Sequence, residues 1–323
     1  MTKENLRIEC ERLFSCKTIN DCNEMLDIYA EFLLKAIINH KDETIYSDAD
    51  YDAKIIVQMM LTKVLHLKNV VSGISFRTKD GLRLERIIDP TIVASFIRNI
   101  YETTAMFNLI YIHTKDKDEK TILYSLWVHA GLKYRQRFEN IITSIENKQK
   151  HEEEKIMIEK IIIKINGTQL YNKLNQINKD KIKEKLKKKD YFIEFAGTEV
   201  NFLSWKDLVG IMGVKEGLLD HLYTHLSFNS HPSNVSVFQF DSMFKDGEAE
   251  FIRLTNTNLQ TAFFMFSIFM FSIFIADYVK LFPTIMSTYE KIDLRDQIVI
   301  DFHNFFLRGN EYSINDSWRK VYD

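Results

Sequence analysis

Three prolines and ten glycines in 323 residues constrain this chain more than any other feature. At average usage of about 5% and 7%, a chain of this length carries roughly 16 prolines and 23 glycines. All-β sandwiches and glycine-loop nucleotide folds need those residues wherever the backbone turns tightly or takes positive φ. An all-α, mostly helical protein is therefore expected. With 46% hydrophobic and 13% aromatic residues, the chain can bury a sizeable core without staples. Its formal charge of -2, from 43 basic and 45 acidic residues, gives no global attraction to nucleic acid or anionic membrane, so any such contact is local.

Apolar spacings of three and four residues over 4–15, 21–39, 48–69, 91–113 and 118–138 predict amphipathic helices. Asn20 and Ser47 are candidate caps, and Asp89-Pro90 places an acceptor before a proline at a first helical position. Lys79-Asp80-Gly81 marks a turn, which makes 72–89 a loop or a short hairpin. Over 139–190, long charged side chains and isoleucines replace the aromatics. This segment is expected to be a charged helical hairpin insertion, protruding, broken near Asn166-Gly167, and separable from one helical core domain made of 1–138 and 191–323. Its second arm carries Lys179, Lys181, Lys183, Lys185, Lys187, Lys188 and Lys189, which could neutralise RNA phosphates. Asp180 and Glu184 interrupt that run and no aromatic lies within it, so a solvated helix face is the simpler reading.

Ser204-Trp205-Lys206-Asp207 resembles a capping box, and 215–230 reads as a helix. The stretches 235–240 (VSVFQF) and 249–254 (AEFIRL) alternate as strands do and are expected to pair as a short β-hairpin near 235–254. Helices near 257–281 and 288–307 follow. Residues 262–276 (AFFMFSIFMFSIFIA) would span about 22 Å as a helix, short of the ~30 Å hydrocarbon core, and Asp277 is expected to stop it. A buried central helix is the expectation rather than a membrane span, with Ser267 and Ser272 satisfied on backbone carbonyls. Residues 1–17 lack a continuous apolar stretch, so no signal peptide is read and a cytoplasmic setting is expected. Cys10, Cys16 and Cys22, spaced by six, match neither a metal knuckle nor a disulfide framework and are read as reduced structural thiols.

The densest concentration of chemically capable groups lies at 220–233. On a helical wheel Leu218, Leu219, Leu222 and Leu226 form one stripe, while Asp220, Tyr223, Thr224, Ser227 and His231 gather on the other side. Pro232 disfavours helical geometry at His231, which places the imidazole at a helix C-terminus, where the dipole favours positive charge. Such a group suits acid or base chemistry; the plain alternative is a polar face closed by a capping histidine. His221, His225 and His231 also reproduce the spacing of the elongated zinc motif H-E-x-x-H-x-x-G-x-x-H. Leu222 stands where that motif has its glutamate base and Phe228 where it has glycine, and the third histidine converges only if the helix ends early.

Tyr223-x-x-Leu226-Ser227-x-x-x-His231-Pro232-Ser233, with Arg98 and Glu102 in an upstream Arg-x-x-x-Glu helix, resembles an uncharacterised bacterial family of all-helical domains of unknown function. The resemblance would cover about 25–280, and it implies a helical fold and a bacterial cytoplasmic setting without supplying a reaction. On their wheel Arg98 and Glu102 lie opposite Ile92, Val93, Phe96, Ile100 and Phe107, as a surface ion pair or as the wall of a polar pocket shared with His231. The leading expectation is a helical binding or assembly protein with that pocket, in stress or phage defence, with a protein partner or a second copy of itself. A metal-independent ribonuclease-like effector is the first alternative. In it Arg98 stabilises charge, His231 is acid or base, and Glu102, Tyr223 and Ser227 complete the site. A three-histidine metal protein is the second. No cofactor is expected, because no Walker loop, Rossmann glycine pattern, CxxC pair or nucleophile elbow is present.

Overall fold

The computed structural model describes residues 2–231, 233–245 and 268–322. Among them the chain is mostly helical, with two small antiparallel hairpins. It divides into two compact units, one of residues 1–108 and 209–323, the other of 109–208.

The first unit opens with α1 (Lys3–Ser15), α2 (Ile19–His40) and α3 (Asp48–Val71). Thr18, not Asn20, starts α2: its side chain accepts from Asp21 N–H while Asp21 accepts from the Thr18 N–H, a reciprocal box that leaves Asn20 inside the first turn. Ser47 caps α3 as expected. Then come β1 (Ile74–Arg77) and β2 (Arg83–Ile87), joined through Gly81 at φ 99°, so the 72–89 segment is a hairpin. Asp89 accepts from the N–H of Thr91 at 2.8 Å and so caps α4 (Pro90–Phe107). The buried stripe of α4 is Val93, Ile97, Ile100, Tyr101 and Thr104, which rotates the wheel slightly from the one expected and leaves Ile92 exposed.

In the second unit α5 (Lys117–Arg135) packs against α6 (Ile145–Asn166). The break at Gly167 is where it was expected, and α7 (Gln169–Lys173) and α8 (Gln176–Lys188) follow. Strands β3 (Ile193–Ala196) and β4 (Glu199–Phe202) form a hairpin that the sequence reading passed over, although IEFAGTEVNF alternates around Gly197 at φ 65°. The unit therefore takes in α5 and this hairpin, and is wider than the 139–190 insertion expected. The basic run is largely engaged within it. Lys179 and Lys181 donate to the carbonyls of Asn172 and Val200, and Lys183, Lys185 and Lys188 pair with Asp180, Asp190 and Glu184.

The chain returns through α9 (Asp207–Ile211) to α10 (Leu222–Ser230) and α11 (Asn234–Lys245). Here the strand expectation fails for 235–240: Ser233 accepts from the N–H of Ser236 at 3.1 Å, and this cap beside Pro232 begins a helix despite the alternating valines. The expected partner strand at 249–254 and the start of the helix at 257–267 lie outside the described residues. The phenylalanine-rich segment continues in α12 (Ile268–Leu281), whose Phe271 and Phe274 face Tyr29 and Phe107 in the core. Asp277 does not stop α12. It is buried inside the helix and bound by Arg308 of α14 (Leu294–Arg308), while the short α13 (Met286–Tyr289) lies between the two helices in sequence. Ser272 donates to the Ile300 carbonyl of α14 at 2.6 Å rather than to its own helix. Among the described residues no single helix is long and apolar enough to cross a membrane; 268–281 and 283–289, bent by 112°, would pass only as a pair. The short α15 (Arg319–Tyr322) ends the described chain.

Candidate functional site

α10 packs along α4, and this pairing unites residues more than a hundred positions apart. Arg98 stands two turns into α4, with Glu102 one turn further on. Tyr223, Ser227 and His231 succeed one another at four-residue spacing on α10 and its C-cap, so their side chains stack along one face. His231 is extended at φ -101°, ψ 151°, and ends the helix, as the sequence predicts.

Arg98 is the hub. Its Nε donates to Glu102 Oε1 at 2.8 Å, one terminal nitrogen to Tyr223 Oη at 2.8 Å, and the other to His231 Nε2 at 3.0 Å. An arginine has only donors, so His231 Nε2 is the acceptor and the imidazole in this arrangement carries its proton on Nδ1. The guanidinium offers five N–H groups and these bonds use three, which leaves two for a ligand. The Tyr223 ring lies under the guanidinium and beside buried Tyr101. Burial raises the Tyr223 phenol above its ordinary range, against the opposing pull of Arg98, so it stays a protonated donor. For Arg98, burial works against the charge and Glu102 outweighs it.

Both charged side chains keep about a quarter of their surface exposed, 23% for Arg98 and 27% for Glu102, so the cluster opens to solvent. Ser227 is half-buried between Tyr223 and His231, with no hydrogen bond of its own among the described residues. The sequence reading missed Lys63. It sits on α3, donates to Asn99 Oδ1 on α4, and has its pKa lowered by burial while Glu102 pulls the other way. A lysine on the polar side of α3 carries no signal by itself; only the α3–α4 packing brings it to Asn99.

His221 and His225 do not join the cluster. His221 is the exposed N-cap of α10, His225 lies next to Asn229, and the donor atoms of the three histidines do not come within 4.8 Å of one another. The helix does end early at His231, but the imidazole it frees turns to Arg98. Among the described residues the one group of metal-capable spacing is Glu139, His151 and Glu152 in the second unit, where Lys155 already bridges both glutamates at 2.9 and 2.8 Å.

The segment from α4 through α11 holds every residue of the Arg98 cluster except Lys63. Residues 89–249 match DUF5677, a family of unknown function. The match is narrower than the 25–280 read from the sequence, and within DUF5677 fall Arg98, Glu102, Tyr223, Ser227 and His231. No curated protein and no solved structure matches the chain significantly.

Proposed function

We propose that this is a helical binding or assembly protein whose half-buried pocket around His231 holds a phosphate-bearing ligand. The single observation that carries the reading is Arg98, fixed by Glu102 and Tyr223 and aimed at His231, with two N–H groups to spare. A guanidinium so held is preorganised for the forked recognition of a phosphate oxygen pair, and Lys63 adds a second positive charge. The setting we assign is the bacterial cytoplasm, in stress or phage defence, with a protein partner or a second copy of the chain as the assembly.

The hydrogen bond from Arg98 to His231 Nε2 also favours a second reading, metal-independent RNA cleavage. A phosphate that takes the Arg98 donor leaves Nε2 as a free base. It can then accept the proton of a ribose 2′-hydroxyl as that oxygen attacks the phosphorus and the P–O5′ bond breaks, giving a 2′,3′-cyclic phosphate and a 5′-oxygen that takes a proton from water, while Arg98 stabilises the charge on the phosphoryl oxygens. Tyr223 and Ser227 orient the strand.

One experiment separates the two readings. The full chain is titrated with a ribonucleoside 3′-monophosphate by calorimetry, and a short labelled RNA is incubated with it in EDTA. Binding that disappears in Arg98→Ala supports the pocket, and cleavage in EDTA that disappears in His231→Ala adds the catalytic reading. Undiminished binding in Arg98→Ala refutes both.

A further inference from the structure

We infer that the β1–β2 hairpin is an arm that leads single-stranded RNA to the Arg98–His231 pocket. The inference rests on the phosphate-ligand reading above and names the polymer that carries the phosphate.

The hairpin connects α3 to α4, the two helices that bear Lys63 and Arg98. Eight residues separate Pro90, at the foot of β2, from Arg98, which is about 12 Å along the helix axis. Arg77 pairs directly with Arg83 across the ribbon. Like charges in that position destabilise a hairpin, and both side chains are exposed with no acidic partner among the described residues. The nearby carboxylate of Asp80 is turned back into the loop, where it accepts from Thr78 Oγ1. Lys79 stands exposed at the turn.

The opposite side of the ribbon is apolar and open: Ile74 is 67% exposed, Phe76 64% and Leu82 69%, with Phe76 registered against Leu84. One molecule satisfies both sides. A phosphodiester backbone neutralises the unpaired arginines, and its bases give Phe76 a stacking partner. The strand must be single, because only an unstacked base presents its face to an aromatic side chain. The lysine run at 179–189 is a weaker contact for RNA, since most of its ammonium groups are held within the second unit.

Fluorescence anisotropy of a short labelled single-stranded RNA tests the arm on the full chain, with folding of each variant checked by circular dichroism. Arg77→Glu/Arg83→Glu is expected to lose tenfold or more in affinity and to flatten the dependence of log K on log salt by about 1.4, two contacts at about 0.7 each. Phe76→Ala is expected to weaken binding about tenfold with the salt slope unchanged. Both variants should still bind the ribonucleoside 3′-monophosphate as the unaltered chain does. Loss of mononucleotide binding in the unaltered chain would defeat the pocket alone, provided strand binding still depends on Arg77 and Arg83. Wild-type RNA affinity in the double variant overturns the arm, as does no RNA binding at all. It is equally overturned if the hairpin variants instead abolish flotation with phosphatidylserine vesicles, or self-association in sedimentation, while RNA affinity stays unchanged.

Discussion

Replacing Arg308 by methionine tests the core most severely. Arg308 is 1% exposed and Asp277 0%, and both terminal nitrogens of the guanidinium lie 2.8 Å from Asp277 Oδ1. Asn108 donates to the other carboxylate oxygen at 2.7 Å, and the guanidinium also caps the Met212 carbonyl and lies 4.1 Å from the centre of the Tyr312 ring. Arg308→Met keeps most of the volume and leaves a buried carboxylate with one neutral donor. Breaking a buried pair in this way costs about 3–5 kcal/mol, a fifth or more of a stability of roughly 5–15 kcal/mol. Removing both charges in Arg308→Met/Asp277→Leu avoids the uncompensated charge and should return to within about 2 kcal/mol of the starting protein. Urea unfolding followed by far-UV circular dichroism reads both values. A single variant within about 1 kcal/mol of the starting protein would refute the reasoning, and so would a double variant no more stable than the single one.

Other consequences are as measurable. His303 is buried against Tyr29, and burial pushes its pKa from 6.5 down to about 3. The folded state then binds fewer protons than the unfolded one between those values, so stability is full above about 6.5 and falls as the pH drops toward 3, by up to about 1.4 kcal/mol per unit. His303→Gln should flatten that acid slope in pH-dependent unfolding. Burial raises the Cys10 thiol to about 11, and Cys16 and Cys22 are buried with sulfurs 2.9 Å apart, so a thiol reagent should label the three slowly in the folded chain and completely in urea. Gly213 has φ 78°, and a Cβ there would overlap the Tyr312 hydroxyl, so Gly213→Ala should lower the melting temperature clearly more than Gly210→Ala, where a Cβ meets nothing.

Much of the helical plan was legible because caps and periodicity are local. Ser47, Asp89-Pro90, Gly81 and the break at Gly167 all act within a few residues of where they stand. The failures came where a distant partner decides. Asp277 reads as a helix stop until Arg308, 31 residues away, neutralises it inside the core. The 235–240 stretch alternates like a strand, yet a serine cap beside a proline outweighs a preference worth only about 1 kcal/mol across its whole scale. The site shows the same division. The four-residue spacing of Tyr223, Ser227 and His231 and the turn-ending proline could be read directly. Their meeting with Arg98 could be raised as an alternative to a surface ion pair but not decided, and Lys63 needed the packing of α3 on α4 to be seen at all.

The central claim is that Arg98 and His231 form a ligand site rather than a structural clamp. Thermal unfolding and ribonucleoside 3′-monophosphate binding, measured in parallel on Arg98→Ala and His231→Ala, test it most directly. Groups kept for function are often not optimised for stability, so both variants should lose binding with melting temperatures nearly unchanged. A fall in stability of about 1 kcal/mol or more, with binding intact in the folded fraction, would contradict the claim and leave His231 as a helix cap.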